Sequence, residues 1–144
     1  MKAYADTGLL VSLYLPESTS AAAQAAVTRL DEPLPLVPLA VLELRNAFNF
    51  ALNRRRLTPA ERDALWAQFE QQQASGLFLP SAIPATEWHA RARELSDRHT
   101  PAIATRTLDI LHVAAALLLG AREFLSLDEK QRRMAAAEGL KVRP

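Results

Sequence analysis

The feature that most constrains this chain is a repeated junction: a short apolar stretch gives way to a helix, and an acidic residue stands there. Asp6, Glu43, Asp109 and Asp128 all occupy such places, far apart in sequence. In a parallel α/β sheet these junctions converge on one edge, outside the carboxyl ends of the strands. Four carboxylates brought together repel one another unless a cation neutralises them. An all-oxygen donor set selects a hard cation, Mg²⁺ or Mn²⁺. The first expectation is therefore a carboxylate–metal cluster, and with it phosphodiester chemistry.

The pattern along the chain supports the sheet. Residues 3–5 read as a strand ending at Asp6, and Leu9, Leu10, Leu13 and Tyr14 recur at helical spacing until Pro16 stops them. Ser18 reads as the N-cap of an alanine-rich helix reaching about residue 30. Residues 34–37 read as a buried strand, and Pro38 leads into a helix over 39–55. Thr58-Pro59-Ala60-Glu61 is a capping box with proline at the first helical position, so a helix starts there and runs to the stop at Gly76. Residues 77–79 read as a strand, Pro84 opens a helix to about residue 99, and 100–106 read as a loop. Thr107 is expected to cap an apolar helix ending at Gly120; strand 123–126, helix 129–138 and strand 140–142 follow. Strands alternating with helices indicate an α/β fold with a parallel sheet covered on both faces. The two helices over 39–75 have no strand between them and are expected to protrude as a hairpin.

Composition narrows the function. A chain of 144 residues fits one domain. With 49% hydrophobic and 23% charged residues it has an ordinary globular profile. A formal net charge of +1 argues against a broad basic surface for duplex binding, though not against an enzyme that grips a few phosphates. The absence of cysteine excludes disulfides, thiolate metal sites and thiol nucleophiles, and is compatible with a reducing cytosol. The first residues do not read as a signal peptide, because Asp6 interrupts them before an apolar region develops. The apolar run over 108–119 is too short to span a bilayer, so no membrane is expected as a partner.

Each acid taken alone has a structural explanation. Asp6 can be an N-cap, Asp109 sits in a first helical turn where the macrodipole favours it, and Ser126-Leu127-Asp128-Glu129 is itself a capping pattern. Glu43 fits this reading worst. It lies between Leu42 and Leu44 in an apolar part of its helix, where a lone carboxylate is costly. Arg45 is a local candidate partner, but near neighbours on a helix do not face each other.

Four segments then carry a resemblance: Ala5-Asp6-Thr7, Leu42-Glu43-Leu44, the run from Arg106 to Ala114, and Leu125-Ser126-Leu127-Asp128. Their order and separations resemble those of PIN-domain nucleases. More narrowly the chain resembles a VapC-type toxin of a bacterial or archaeal toxin–antitoxin pair. The segments from Leu13 to Glu17 and from Ala136 to Val142 look alike too, so the resemblance spans essentially all of 1–144 as one PIN-like domain. It implies a three-layer α/β/α fold and an endoribonuclease dependent on Mg²⁺ or Mn²⁺. It also implies a cytoplasmic homodimer held in check by a small antitoxin. Asp6, Glu43, Asp109 and Asp128 match the family's acidic positions. Gly8 stands where the family often has a small polar side chain, and Ser126 where threonine is common.

On this reading Asp6 and Asp109 hold a first cation, and Glu43 and Asp128 contribute directly or through water. The cation activates water for in-line attack on phosphorus. Thr7 and Ser126 either support the acids or merely cap helices, and His112, three residues beyond Asp109, either reaches substrate or is a satisfied polar residue of a helix face. Arg106 is the basic residue expected to contact a phosphate, with a solvated loop as the alternative. Arg54-Arg55-Arg56 either steers RNA or complements a helix C-terminus, and Lys130, Arg132 and Arg133 either form a rim or a solvated face. Phe48, Phe50, Trp66 and Phe69 are core residues or the lining of a groove on the 39–75 hairpin that receives an antitoxin helix. Two competing readings are a PIN fold that only binds RNA or a protein, which Gly8 keeps open, and an aspartyl-phosphate phosphatase. The latter needs a second Asp where Gly8 stands.

Overall fold

A computed structural model describes residues 2–144. The element order is β1 (Ala3–Ala5), α1 (Thr7–Tyr14), α2 (Ser20–Thr28), β2 (Leu34–Leu36), α3 (Pro38–Asn53), α4 (Pro59–Ala74), β3 (Phe78–Pro80), α5 (Ala85–Ile103), α6 (Thr107–Leu118), β4 (Glu123–Leu125), α7 (Glu129–Ala137) and β5 (Lys141–Arg143). Every strand pairing is parallel, as expected for strands separated by helices. The pairings form two ladders, β1-β4-β5 and β2-β3, with β1 and β2 lying side by side.

The break between the ladders follows from Pro35. The Leu34 amide donates to Leu77 O, and Leu36 O accepts from the Ser81 amide, so these residues spend their backbone groups on β3. The alternation of a strand turns Pro35 the other way, toward β1, and proline has no N–H to give.

The core lies on both sides of the strands. Tyr4 of β1 and Phe124 of β4 stack at 6.0 Å, and Val113, Ala114, Ala115 and Ala116 of α6 are fully buried. A run of small residues lets α6 approach its neighbours closely. The Thr58 capping box forms with both of its bonds: Glu61 N donates to Thr58 Oγ1 and Thr58 N to Glu61 Oε1.

Local signals misplaced three boundaries. Thr19, not Ser18, is the N-cap of α2, and it makes no side-chain cap bond. The Ser20 hydroxyl serves that turn instead, donating to Leu15 O and accepting from the Glu17 amide. Residues 100–103 are helical, not loop: α5 carries Pro101 on an exposed position and stops at Ala104, which takes a left-handed φ of 56°. Arg106, not Thr107, is the N-cap of α6, again without a side-chain bond.

Candidate active site

Two of the four acids stand where a strand hands over to a helix. Asp6 follows β1 and caps α1, accepting from the Leu9 amide at 2.8 Å. Asp128 follows β4 and caps α7, accepting from the Gln131 amide at 2.8 Å. Since β1 and β4 are paired in register, the two caps are adjacent. Glu43 lies in the second turn of α3, beyond β2. Asp109 departs from the expected pattern. It sits in the first turn of α6, which follows a helix rather than a strand.

All four acids line one cavity of about 450 Å³, together with Thr7 and His112. Ser126 is completely buried behind it, and its hydroxyl donates to Asp6 Oδ2 at 2.5 Å while accepting from the Asp128 amide at 3.0 Å. One serine therefore couples two acids. Arg106 is exposed and does not line the cavity; its charge and backbone act on Asp109 from outside.

His112 is the buried hub of a polar chain. Its Nε2 lies 2.5 Å from Glu43 Oε1, and its Nδ1 lies 2.8 Å from Tyr4 Oη. A carboxylate only accepts, so Nε2 donates to Glu43, and in the neutral ring Nδ1 accepts from the phenol. Burial and the charges of Asp6 and Glu43 hold the Tyr4 phenol well above its ordinary range, which keeps it a donor. Thr7 Oγ1 donates to Glu43 Oε1 at 3.0 Å and lies 3.2 Å from His112 Nε2. These bonds account for an acid on an apolar helix. Arg45 is not the partner of Glu43: its guanidinium lies over the Trp66 ring, 5.0 Å from the centroid.

The cavity is electrostatically loaded. Burial raises the Asp6 carboxyl above its ordinary range and Asp128 adds to the effect, against the opposing bonds from Ser126 and Leu9. Burial and the Asp128 charge likewise raise Asp109. A cation would relieve both.

Several donors in the cavity went unread in the sequence. Ser12 is buried, and its hydroxyl lies 3.0 Å from Glu17 Oε2 and 2.9 Å from Thr19 Oγ1; all three line the wall. The available signal was a lone serine one turn beyond Gly8 on an otherwise apolar helix. Gln131, three residues after Asp128, donates to Asp109 Oδ1 at 3.2 Å, while its buried Oε1 has no partner among the described residues. Gly8 also belongs here. A Cβ at this position would lie 3.7 Å from Asp6 Oδ1, so a polar side chain there would sit over the carboxylate.

The donors fit a hard cation in chemistry: they are carboxylates and an orphaned amide oxygen, with no thiolate. They do not form a closed shell. Among the described residues no three His, Cys, Asp or Glu side chains stand close enough together to hold a metal by themselves. Mg²⁺ commonly keeps several waters, so an incomplete protein shell is compatible with it.

A short parallel sheet between helices, with carboxylates gathered beyond β1 and β4, defines an α/β domain with an acidic site. Residues 3–137 match the PIN domain, and the chain belongs to that family. Similar solved structures include VapC20 of Mycobacterium tuberculosis, described as a sarcin-ricin loop cleaving toxin, at 17% identity and a TM-score of 0.72 over 99% of this chain and 100% of that one. FitAcB of Neisseria gonorrhoeae follows at 19% identity and 0.69, covering 99% and 96%. PAE2754 of Pyrobaculum aerophilum matches at 16% identity and 0.58, covering 99% and 89%. At these identities the likeness is one of fold. No curated protein matches the chain in sequence. Among the described residues no helix is long and apolar enough to cross a membrane.

Proposed function

We propose that the protein is an endoribonuclease dependent on Mg²⁺ or Mn²⁺ and the toxin of a toxin–antitoxin pair, acting in the cytoplasm as a homodimer. The observation that carries the reading is the convergence of Asp6, Glu43, Asp109 and Asp128 on one cavity in a PIN domain. Asp6 and Asp109 would hold the cation, with Glu43 and Asp128 reaching it directly or through water. Bound there, such a cation lowers the pKa of water and neutralises charge on a phosphate.

The chain's own residues do the rest. Ser126 and the Leu9 amide fix the Asp6 carboxylate. Thr7 and His112 fix Glu43, and Gln131 fixes Asp109. Water-ordering oxygens come from the hydroxyls of Ser12 and Thr19. No histidine base is required: His112 is buried and engaged on both ring nitrogens. The kinship of fold with a sarcin-ricin loop cleaving toxin supports RNA as the substrate, and a toxin's role calls for a protein partner that restrains it. The exposed Leu42 lines an apolar groove with Val41, Trp66 and Pro80, at the α3–α4 hairpin, that would receive that partner.

The test is cleavage of total RNA by the purified protein with Mn²⁺ or Mg²⁺. Discrete fragments that vanish with EDTA support the reading. Metal-independent cleavage that persists in a folded Asp109→Asn variant would refute it. A protein that binds RNA yet neither cleaves it nor takes up metal belongs to the binding-only alternative that Gly8 suggests.

A further inference from the structure

We propose that a second cavity, contiguous with the acidic one, is a nucleotide subsite: it seats one unstacked base and the adjoining phosphate of single-stranded RNA beside the bond that is cut. The proposal rests on the ribonuclease reading above.

The cavity measures about 360 Å³ and is lined chiefly by Glu17, Glu43, Asn46, Phe50, Arg54 and Arg56. Glu17 and Glu43 also line the acidic cavity, so the two share a wall. Glu17 and Glu43 are thus the wall shared with the cation site, and Arg54 and Arg56 are this cavity's own cations, beside an apolar lining of Val11, Leu15, Ala47 and Ala51. An RNA strand whose phosphate reaches the acids meets these cations next.

Phe50 is the unusual member. It belongs to α3, whose other phenylalanine, Phe48, is fully buried, yet it is 55% exposed. The Arg54 guanidinium lies 5.7 Å from its ring centroid. An exposed aromatic ring with an arginine stacked over it is a platform for a base, which stacks on ring or guanidinium plane whatever its identity, while the guanidinium edge holds phosphate. Arg54 and Arg56 make no ion pair among the described residues, and Arg56 has only a long bond of 3.5 Å to Pro16 O. Asn46, one turn before Phe50 on the same helix, offers an amide donor and acceptor to a base edge.

The end of α3 is shaped to present both arginines. Arg55 takes a left-handed φ of 57°, disfavoured for a residue with a Cβ, and Arg55 N and Arg56 N close the helix on Leu52 O and Ala51 O. Arg54 and Arg56 line the cavity as a result, and Arg55 does not. An acidic segment of a protein partner would use the arginines but has no need of an exposed ring with an amide one turn away. The combination favours an unpaired nucleotide.

The experiment measures anisotropy of a short, labelled, mixed-sequence single-stranded RNA in EDTA, over a range of salt, with cleavage in Mn²⁺ followed in parallel. Phe50→Ala should weaken binding roughly tenfold, and Phe50→Trp should restore it. Arg54→Gln should weaken binding and reduce the slope of log K against log salt by about 0.7. A metal-dependent parent whose Phe50→Ala and Arg54→Gln variants bind and cleave as it does would overturn the subsite and leave the ribonuclease reading standing. A parent that neither binds nor cleaves RNA would overturn both. Unchanged RNA binding with weakened inhibition by a co-expressed partner would give the cavity to that protein and overturn the proposal as well.

Discussion

Helix α3 separates two regions built on opposite rules. Beneath it lies an aromatic layer: Tyr14 meets Phe48 and Phe69 edge-on at 5.8 and 6.1 Å, and Phe69 meets Phe78 at 5.5 Å. At its other side Glu43 faces the acidic cavity, where hydrogen bonds between distant segments hold the carboxylates. The first region stabilises by removing apolar area from water. The second gathers like charges, which opposes folding, and is held by bonds from Ser126, Thr7, His112 and Gln131. Stability and activity therefore reside in separate side chains and should be separable by mutation.

The largest expected effect is in the aromatic layer. Phe69→Ala removes a fully buried ring and should cost about 3–5 kcal/mol, a large share of the roughly 5–15 kcal/mol that hold a domain. Urea denaturation measures it. Asp6→Asn should do the reverse, lowering cleavage at least about a hundredfold while leaving the urea midpoint unchanged or higher. An Asp6→Asn protein that unfolds would erase the distinction between the regions. Ser126→Ala sits between these cases. It frees the Asp6 carboxylate and removes the Asp128 amide's acceptor, and turnover should fall roughly 10–100-fold. Unchanged turnover would reduce Ser126 to a helix-entry residue.

The smallest expected effect lies away from both regions. Glu138 accepts from Arg98 at 2.6 Å and lies 2.9 Å from His99 Nε2, tying α7 to α5. Burial pushes its carboxyl up, but the His99 and Arg98 bonds outweigh burial and hold it below the ordinary range. A depressed acid contributes stability that is full above its unfolded pKa and is lost as pH falls through the folded one. Glu138→Gln should therefore cost about 1–2 kcal/mol at neutral pH, discounted because Arg98 is half exposed. The difference should vanish in acid below the ordinary carboxylate range. A deficit independent of pH would assign the effect to packing.

The regions also differed in how legible they were. The alternation of strands and helices and the Thr58 cap could be read because each is a local pattern with a fixed spacing, whereas of the four acids only Asp6 and Asp128 stand at the strand–helix junctions that pointed to them. The pairing of Glu43 with Thr7 and His112 could not, since it joins segments 36 and 69 residues apart. Helix geometry already argued against Arg45 as the partner of Glu43, and the helix does turn it onto Trp66. Residues 100–106 read as a loop, yet α5 runs on through the exposed Pro101, since a proline near a helix end removes one backbone bond without ending the helix. Ser12, Glu17, Thr19 and Gln131 escaped because polar residues at helix ends usually serve caps; only the folded chain brings them to one wall. Phe48 and Phe50 carried the same two readings, core or groove lining, and only the fold separates them, burying Phe48 and leaving Phe50 exposed.

On the proposed function the four acids act as one cation site. Mn²⁺ titration followed by calorimetry and thermal melting, with the parent and Asp109→Asn compared, tests it most directly. The account predicts saturable binding and a raised melting temperature in the parent, with both greatly weakened in the folded variant. Equal Mn²⁺ responses in the two proteins, or none in a parent that still cleaves RNA, would contradict it.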